Sequence, residues 1–214
     1  MKFCVIGLGR FGEQVATTLA DNGMEVLAID SSETAIAAIR DQVTQAVCMR
    51  VSDEASLRSI GVDEMDIGIV TMGENFAQSI LVTALLKKRL GIPTVISRGM
   101  NDMHKDILKL TGADRVILPE KAIGIRLADN LSSPFTDLTR MTKNFSISLI
   151  VAPKPFVGEK ISALHLYDTY NVHCIGVKTE DDKIVPLGSD YVIADGDRLI
   201  FSGLNADLER VAEL

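Results

Sequence analysis

Two periodicities alternate along the first 118 residues. Phe3-Cys4-Val5-Ile6 is a short apolar run stopped by Gly7. Phe11, Val15 and Leu19 then recur at the spacing of one helix face, and Asn22-Gly23 ends that stretch. The segment from Glu25 carries the run Val26-Leu27-Ala28-Ile29 and closes at Asp30, after which Ser31 or Ser32 can cap a helix through Arg40. Ala46-Val47-Cys48, Ile67 to Val70, Thr94-Val95-Ile96 and Val116-Ile117-Leu118 are further runs, and Phe76 to Leu90 reads as a helix. Short apolar runs separated by helical segments predict βαβ units and a parallel sheet. The runs are solidly apolar, as in strands covered on both faces. Six of them make a complete doubly wound, Rossmann-like α/β domain.

The pattern changes after Leu118. Pro119-Glu120-Lys121 opens a helix with Ile123, Leu127 and Leu131 on one stripe, and Ser132-Ser133-Pro134 breaks it. This places a nucleotide-binding domain with its crossover helix at 1–131 and a second domain at 132–214. In the second part Ser146 to Val151 and Cys174 to Val177 read as strands. Glu180-Asp181-Asp182 is a turn before Ile184 and Val185, and Asp195-Gly196-Asp197 a turn before a strand from Arg198 to Ser202. A helix over Asn205 to Ala212 closes a small antiparallel α+β domain.

Composition narrows the function classes. The chain has 214 residues, 47% of them hydrophobic, which fits a globular protein with a core and not a disordered or disulfide-stapled one. The net charge of −7 argues against a globally basic surface for nucleic acid. Aromatics at 5% and the absence of Trp argue against stacking platforms for single strands. Cys4, Cys48 and Cys174 lie far apart with no CxxC spacing and are expected to be buried thiols in a reducing compartment. No apolar run approaches the roughly 18 residues of a membrane span. The start MKFCVIGLG enters a strand without a signal-peptide layout. A soluble, cytoplasmic protein is the expectation.

The chemistry sits in the first loop. Gly7-Leu8-Gly9-Arg10-Phe11-Gly12 is a GxGxxG that follows the first strand and opens the first helix, and Asp30 ends the second strand 18 residues beyond Gly12. Gly7 permits the tight turn, Gly9 lets backbone approach phosphate, and Gly12 lets helix and strand pack closely. The helix N-terminus offers N–H groups to an anion, and Asp30 can accept from ribose hydroxyls. Glu13 and Gln14 stand where a P-loop needs Lys and Ser or Thr, so this is not a Walker motif. Asp30 would repel a 2′-phosphate. An adenosine ligand with a free 2′-OH remains: NAD, ATP, ADP or AMP. Arg10 opposes the helix dipole, which an anion nearby would explain, although a solvent-facing Arg reads equally well. Arg98 follows the fifth strand at the edge where such folds bind ligands, although a solvated cation reads equally well. Glu120 is an acid at a helix start, which the dipole alone explains.

No catalytic set accompanies this loop. Tyr167, Tyr170 and Tyr191 lack a Lys four positions on, and no GxSxG is present. His104, His165 and His173 form no ligand spacing, and His165, between Leu164 and Leu166, reads as a satisfied structural histidine. A nucleotide sensor and not an enzyme is expected. The competing class is an NAD-dependent oxidoreductase with a minimal second domain. A transcriptional redox sensor would need a DNA-binding module that the segments do not supply.

GLGRFG, the acid at Asp30, VTMGEN, GADRVILPEKAIG and the β-rich tail together resemble the RCK (KTN) family, the cytosolic gating subunits of bacterial potassium transporters. The resemblance spans essentially the whole chain and is greatest to the KtrA type, with TrkA as a relative. It implies a Rossmann-like nucleotide domain, a crossover helix and an RCK_C domain. It also implies homodimers assembled as an octameric ring beneath a membrane-embedded potassium-translocating subunit, with ATP and ADP (or NAD and NADH in an alternative version) setting the ring's shape. By similarity Arg10 contacts the terminal phosphate of a neighbouring subunit's ligand, and Asp30, with Ser31 and Ser32 beside it, holds the ribose. Phe11, Met72, Gly73, Glu74, Arg98, Gly99, Met100 and His104 line the pocket, and Glu120 holds a divalent cation such as Mg at the phosphates. Arg50, before Val51, stands where KtrA-type chains often carry Asn or Asp, and there it bears on how adenine is held or reaches phosphate. Relatives that bind cyclic di-AMP use an Arg in the segment that here reads Leu166-Tyr167-Asp168-Thr169-Tyr170, so cyclic di-AMP is not expected as a ligand.

Overall fold

The computed structural model describes residues 1–73, 75–132 and 135–214. The chain forms two compact units, Met1–Pro119 and Glu120–Leu214. This division falls ahead of the boundary placed at 131/132, and the helix opened by Pro119 groups with the second unit.

The first unit alternates strand and helix in chain order: β1 Lys2–Ile6, α1 Arg10–Asp21, β2 Glu25–Asp30, α2 Glu33–Ile39, β3 Gln45–Cys48, α3 Glu54–Arg58, β4 Ile67–Val70, α4 Phe76–Ala84, β5 Thr94–Arg98, α5 Asp102–Thr111 and β6 Arg115–Ile117. All six strands are parallel, in the order β3-β2-β1-β4-β5-β6. The chain direction across the sheet reverses between β1 and β4, the switch point at which open α/β sheets leave a crevice beyond their strand ends. α4 runs on into a π turn at Leu85–Arg89, closed by the Leu90 N–H on the Leu85 carbonyl at 2.9 Å.

Alternation along each central strand feeds two cores. Phe3, Val5, Val26, Ala28 and Ile69 pack with Leu8, Ala16 and Ile39 on one face. Cys4, Ile6, Leu27, Ile29, Val70 and Val95 pack with Val82 and Leu86 on the other. The edge strand β3 departs from the expectation of full burial. Gln45 and Cys48 are exposed and the residues between them half-buried, because nothing pairs beyond β3. Cys48 is thus an exposed thiol, while Cys4 is buried and Cys174 half-buried. Burial pushes the Cys4 and Cys174 thiols up, Cys174 to about 11. The expectation of three buried cysteines is corrected at Cys48.

The second unit holds α6 Pro119–Ser132, β7 Asp137–Arg140, β8 Phe145–Val151, α7 Leu166–Tyr170, β9 Val172–Lys178, β10 Ile184–Val185, β11 Arg198–Leu204 and α8 Asn205–Ala212. Its sheet is antiparallel in the order β10-β9-β11-β8-β7. Ile150, Val177, Leu199 and Phe201 point to one face and pack with Phe156, Leu208 and Val211. The α6 side chain of Asn130 accepts from the Leu138 N–H at 2.9 Å, so a polar residue of the helix occupies a backbone donor of β7. No residue of α6 is buried, and its stripe of Ile123, Leu127 and Leu131 is open. The break expected at Ser132-Ser133-Pro134 agrees with the helix end at Ser132; the other two residues lie outside the described residues. His165, read as a satisfied structural histidine, is exposed and takes a left-handed φ of 43°, with its Nδ1 4.0 Å from the Asp168 carboxylate. The turn between the 3-10 segment Ile161–Leu164 and α7 puts it outside the core.

Candidate functional site

The site residues of the first unit gather at the C-terminal edge of the parallel sheet, around the β1/β4 switch point. Gly7 leaves β1 with φ +98°, a conformation L side chains rarely adopt, and its N–H bonds to the Ile29 carbonyl at 2.8 Å. A Cβ on Gly12 would lie 1.9 Å from the Gly7 carbonyl oxygen, so only glycine lets α1 pass this close to the loop. Gly9 differs: a Cβ there would meet nothing within 4 Å. Protein packing therefore does not require a glycine at position 9, which fits a position kept bare for a ligand.

α1 begins without a side-chain cap. Gly9 is its N-cap, and the first intrahelical bond runs from the Glu13 N–H to the Gly9 carbonyl at 2.9 Å. The N–H groups of Arg10, Phe11 and Gly12 thus have no intrahelical acceptor, and the dipole adds positive potential there. An anion is the partner such a terminus suits. Arg10 is exposed at this end.

Asp30 stands at the end of β2, and both of its carboxylate oxygens are engaged. Oδ2 accepts from the Leu8 N–H at 2.6 Å, and Oδ1 from the Ser32 N–H at 2.8 Å. Each oxygen keeps lone-pair capacity for a ribose hydroxyl. The Ser32 hydroxyl caps α2 by accepting from the Ala35 N–H at 3.3 Å, and Ser31 is exposed beside it. Cys48 is the register partner of Asp30, and its thiol faces the Ser31 carbonyl at 3.7 Å.

The far side of the crevice comes from the ends of β4 and β5. Met72 approaches the glycine loop, with Cγ 3.0 Å from where a Gly7 Cβ would stand. The Arg98 guanidinium lies against Gly73 and over the Phe11 ring, at 5.8 Å from its centroid. Gly99 is buried; its N–H bonds to the Ile117 carbonyl at 2.8 Å, and a Cβ would press on Leu118 at 2.8 Å. Met100 is exposed. Glu74 lies outside the described residues.

Two expected site residues, His104 and Val51, have their side chains buried. His104 is fully buried. Its Nδ1 accepts from the Met100 N–H at 3.2 Å, its Nε2 lies 2.9 Å from the Ser79 hydroxyl, and its ring stacks on Phe76 at 3.8 Å. Both ring nitrogens are engaged within the protein, so His104 supports the Arg98–Met100 turn from below. Burial holds its pKa below the ordinary histidine value. Val51 has its side chain in the core, and its carbonyl accepts from the Gln78 amide. Arg50, next to it, is exposed. Glu120 is exposed in the first turn of α6 and belongs to the second unit.

Thr71 was not singled out from the sequence. It is 3% exposed, and its hydroxyl reaches the carbonyls of Ile6, at 3.0 Å, and Gly7. The signal that could have found it is its place: a polar residue directly after the apolar run Ile67 to Val70, as Asp30 follows its own run.

A doubly wound sheet with a glycine loop and an acid at the second strand, followed by a small antiparallel domain, defines a Rossmann-type protein with a second, regulatory-sized domain. Residues 3–119 match the TrkA-N domain and residues 146–214 the TrkA-C domain. The chain belongs to this family, as the RCK (KTN) resemblance of its motifs indicated. It is 34% identical over 210 residues to Ktr system potassium uptake protein C of Bacillus subtilis (strain 168), covering 98% of this chain and 95% of that one. It is 32% identical to Ktr system potassium uptake protein A of the same organism, covering 98% and 94%. Its fold is similar to part of the GsuK channel, solved bound to NAD (TM-score 0.54, 20% identity, 99% of this chain and 38% of that one). A GsuK structure bound to ADP aligns over 61% of this chain and 34% of that one, with TM-score 0.53 and 23% identity. Among the described residues no helix is long and apolar enough to cross a membrane.

Proposed function

We propose that the chain is a cytosolic gating subunit of a potassium uptake system, in which an adenine nucleotide bound by the first unit sets the conformation of an oligomer. One observation carries the reading: the uncapped N-terminus of α1 and the Asp30 carboxylate flank the same glycine loop, and at Gly9 there is open space where a side chain would stand. Phosphate suits the first, ribose the second, and a bare backbone suits close approach. Relatives named as Ktr potassium uptake proteins along nearly the whole chain supply the physiological direction.

Arg10 would neutralise the terminal phosphate, and the Arg98 guanidinium would close the far side above Phe11. Ser31, Ser32 and Arg50 would border the ribose and base, and Met72, Gly73, Gly99 and Met100 the opposite wall. A divalent cation such as Mg would accompany the phosphates. ATP and ADP are the favoured pair, with NAD(H) as the variant for which a GsuK channel bound to NAD is the precedent. Binding does work only through different affinity for two conformations of the assembly. The proposed assembly is a homodimer-based octameric ring against a membrane-embedded potassium-translocating subunit.

Small-angle scattering of the purified assembly tests this. ATP and ADP should give two distinct profiles; identical profiles would remove nucleotide-controlled conformation from the account. The enzyme alternative predicts turnover of NAD or NADH with small hydroxy or oxo substrates, and sustained turnover would replace the gating reading.

A further inference from the structure

The Gly7–Leu8 peptide is held at both ends. Its N–H donates to Asp30 Oδ2 at 2.6 Å, and its carbonyl receives the Thr71 hydroxyl. The same hydroxyl lies 3.0 Å from the Ile6 carbonyl, whose oxygen also accepts the Thr71 backbone N–H at 2.9 Å. Thr71 is 3% exposed, so no water competes for these carbonyls from its side. The contact continues into the helix: a Cβ on Gly12 would stand 2.5 Å from Thr71 Oγ1 as well as against the Gly7 carbonyl. Strand end, glycine loop and first turn of α1 therefore meet at one hydroxyl. Leu8 anchors the other side, its side chain buried in the core with Val5 and Ala16.

We infer that Thr71 is the positioning residue of the anion-facing loop. The hydroxyl keeps the Gly7 carbonyl turned inward and away from the crevice. Turned outward, that oxygen would face the phosphates and repel them. The hydroxyl also fixes the angle at which α1 leaves the loop, and so the direction of the N–H groups of Arg10 and Phe11. Thr71 itself touches no ligand. The inference rests on the nucleotide reading of this crevice and adds the residue that holds its phosphate half in place.

The test uses two variants of the full chain, Thr71→Ser and Thr71→Ala, which differ from each other by one oxygen. Calorimetric titrations with ADP and with adenosine separate the phosphate half of the site from the ribose half. Thr71→Ala should weaken ADP binding about tenfold or more, the scale of a buried carbonyl left without its donor, and adenosine binding much less. Thr71→Ser should restore most of the ADP affinity. Equal ADP affinity in wild type and Thr71→Ala overturns the inference. So does a Thr71→Ser as weak as Thr71→Ala, or an equal loss for ADP and adenosine; either makes Thr71 a packing residue. A wild type that binds neither ligand instead overturns the nucleotide reading itself, and the positioning role with it.

Discussion

Asp30 performs two tasks that substitution can separate. Its carboxylate braces the glycine loop through the Leu8 N–H and starts the turn into α2 through the Ser32 N–H. The same group is the proposed ribose acceptor. Asp30→Ala removes two hydrogen bonds to a charged acceptor, each worth roughly 1.5–3 kcal/mol when shielded. The site is half-buried, and water can replace part of this, which leaves a cost of about 2–3 kcal/mol. At about 2–4 °C per kcal/mol for a chain of this size, the melting temperature should fall by roughly 5–10 °C. Adenosine and ADP affinity should fall together by about 100-fold, since two ribose bonds to a charged acceptor are lost as well. Asp30→Asn keeps an oxygen for the Leu8 N–H but presents a donor where a ribose hydroxyl also donates. The Ser32 N–H then faces an amide donor, so Asp30→Asn should recover only part of the melting temperature and little of the affinity. Differential scanning calorimetry and titration calorimetry on the same preparations read both quantities. Wild-type melting in Asp30→Ala would refute the brace, and wild-type affinity in Asp30→Asn would refute the ribose assignment.

Other outcomes follow from the same geometry. Gly12→Ala places a methyl 1.9 Å from a carbonyl oxygen and should cost about 3 kcal/mol or more, read as a lowered midpoint in urea; a wild-type midpoint would contradict the packing described. Stability should drop in mild acid because of His104. Its pKa is lowered by burial in the fold, so the unfolded chain takes up the proton first, and stability is full above about pH 6.5 and declines as pH falls below it. Urea midpoints at pH 7.5 and 5.5 in wild type and His104→Gln should show a smaller acid loss in the variant. Arg10→Ala should lower ATP affinity several-fold and leave adenosine unchanged, and an equal effect on both would detach Arg10 from the phosphates.

The parallel sheet was legible because its inner strands are apolar on both faces and each ends at a turn or polar residue: Gly7, Asp30, Thr71 and Arg98 all sit at strand ends. The site's outline was legible for the same reason, since GLGRFG and Asp30 are defined by their positions relative to strands. Edge effects were not. The run Ala46-Val47-Cys48 looks like an inner strand, but β3 closes the sheet and leaves Cys48 exposed. β7, Asp137–Arg140, was missed because half of its four residues are charged and its pairing is supplied by β8 and Asn130. His104, expected at the pocket wall, is fully buried, and His165 is exposed. A histidine's burial depends on the partners that tertiary packing brings, here Ser79 and the Met100 N–H for His104, and local leucines do not supply them. Thr71 carries only its position after the Ile67 to Val70 run as a signal, because its significance lies in contacts with residues 64 and 65 positions away.

The most direct test of nucleotide control is calorimetric titration of ligand-free protein with ATP, ADP, NAD and NADH, with and without magnesium. The account predicts tight binding of ATP and ADP at one competing site, strengthened by magnesium, with weak NAD and NADH. No binding of any adenine nucleotide, or binding of NADH alone with no competition by ADP, would contradict it.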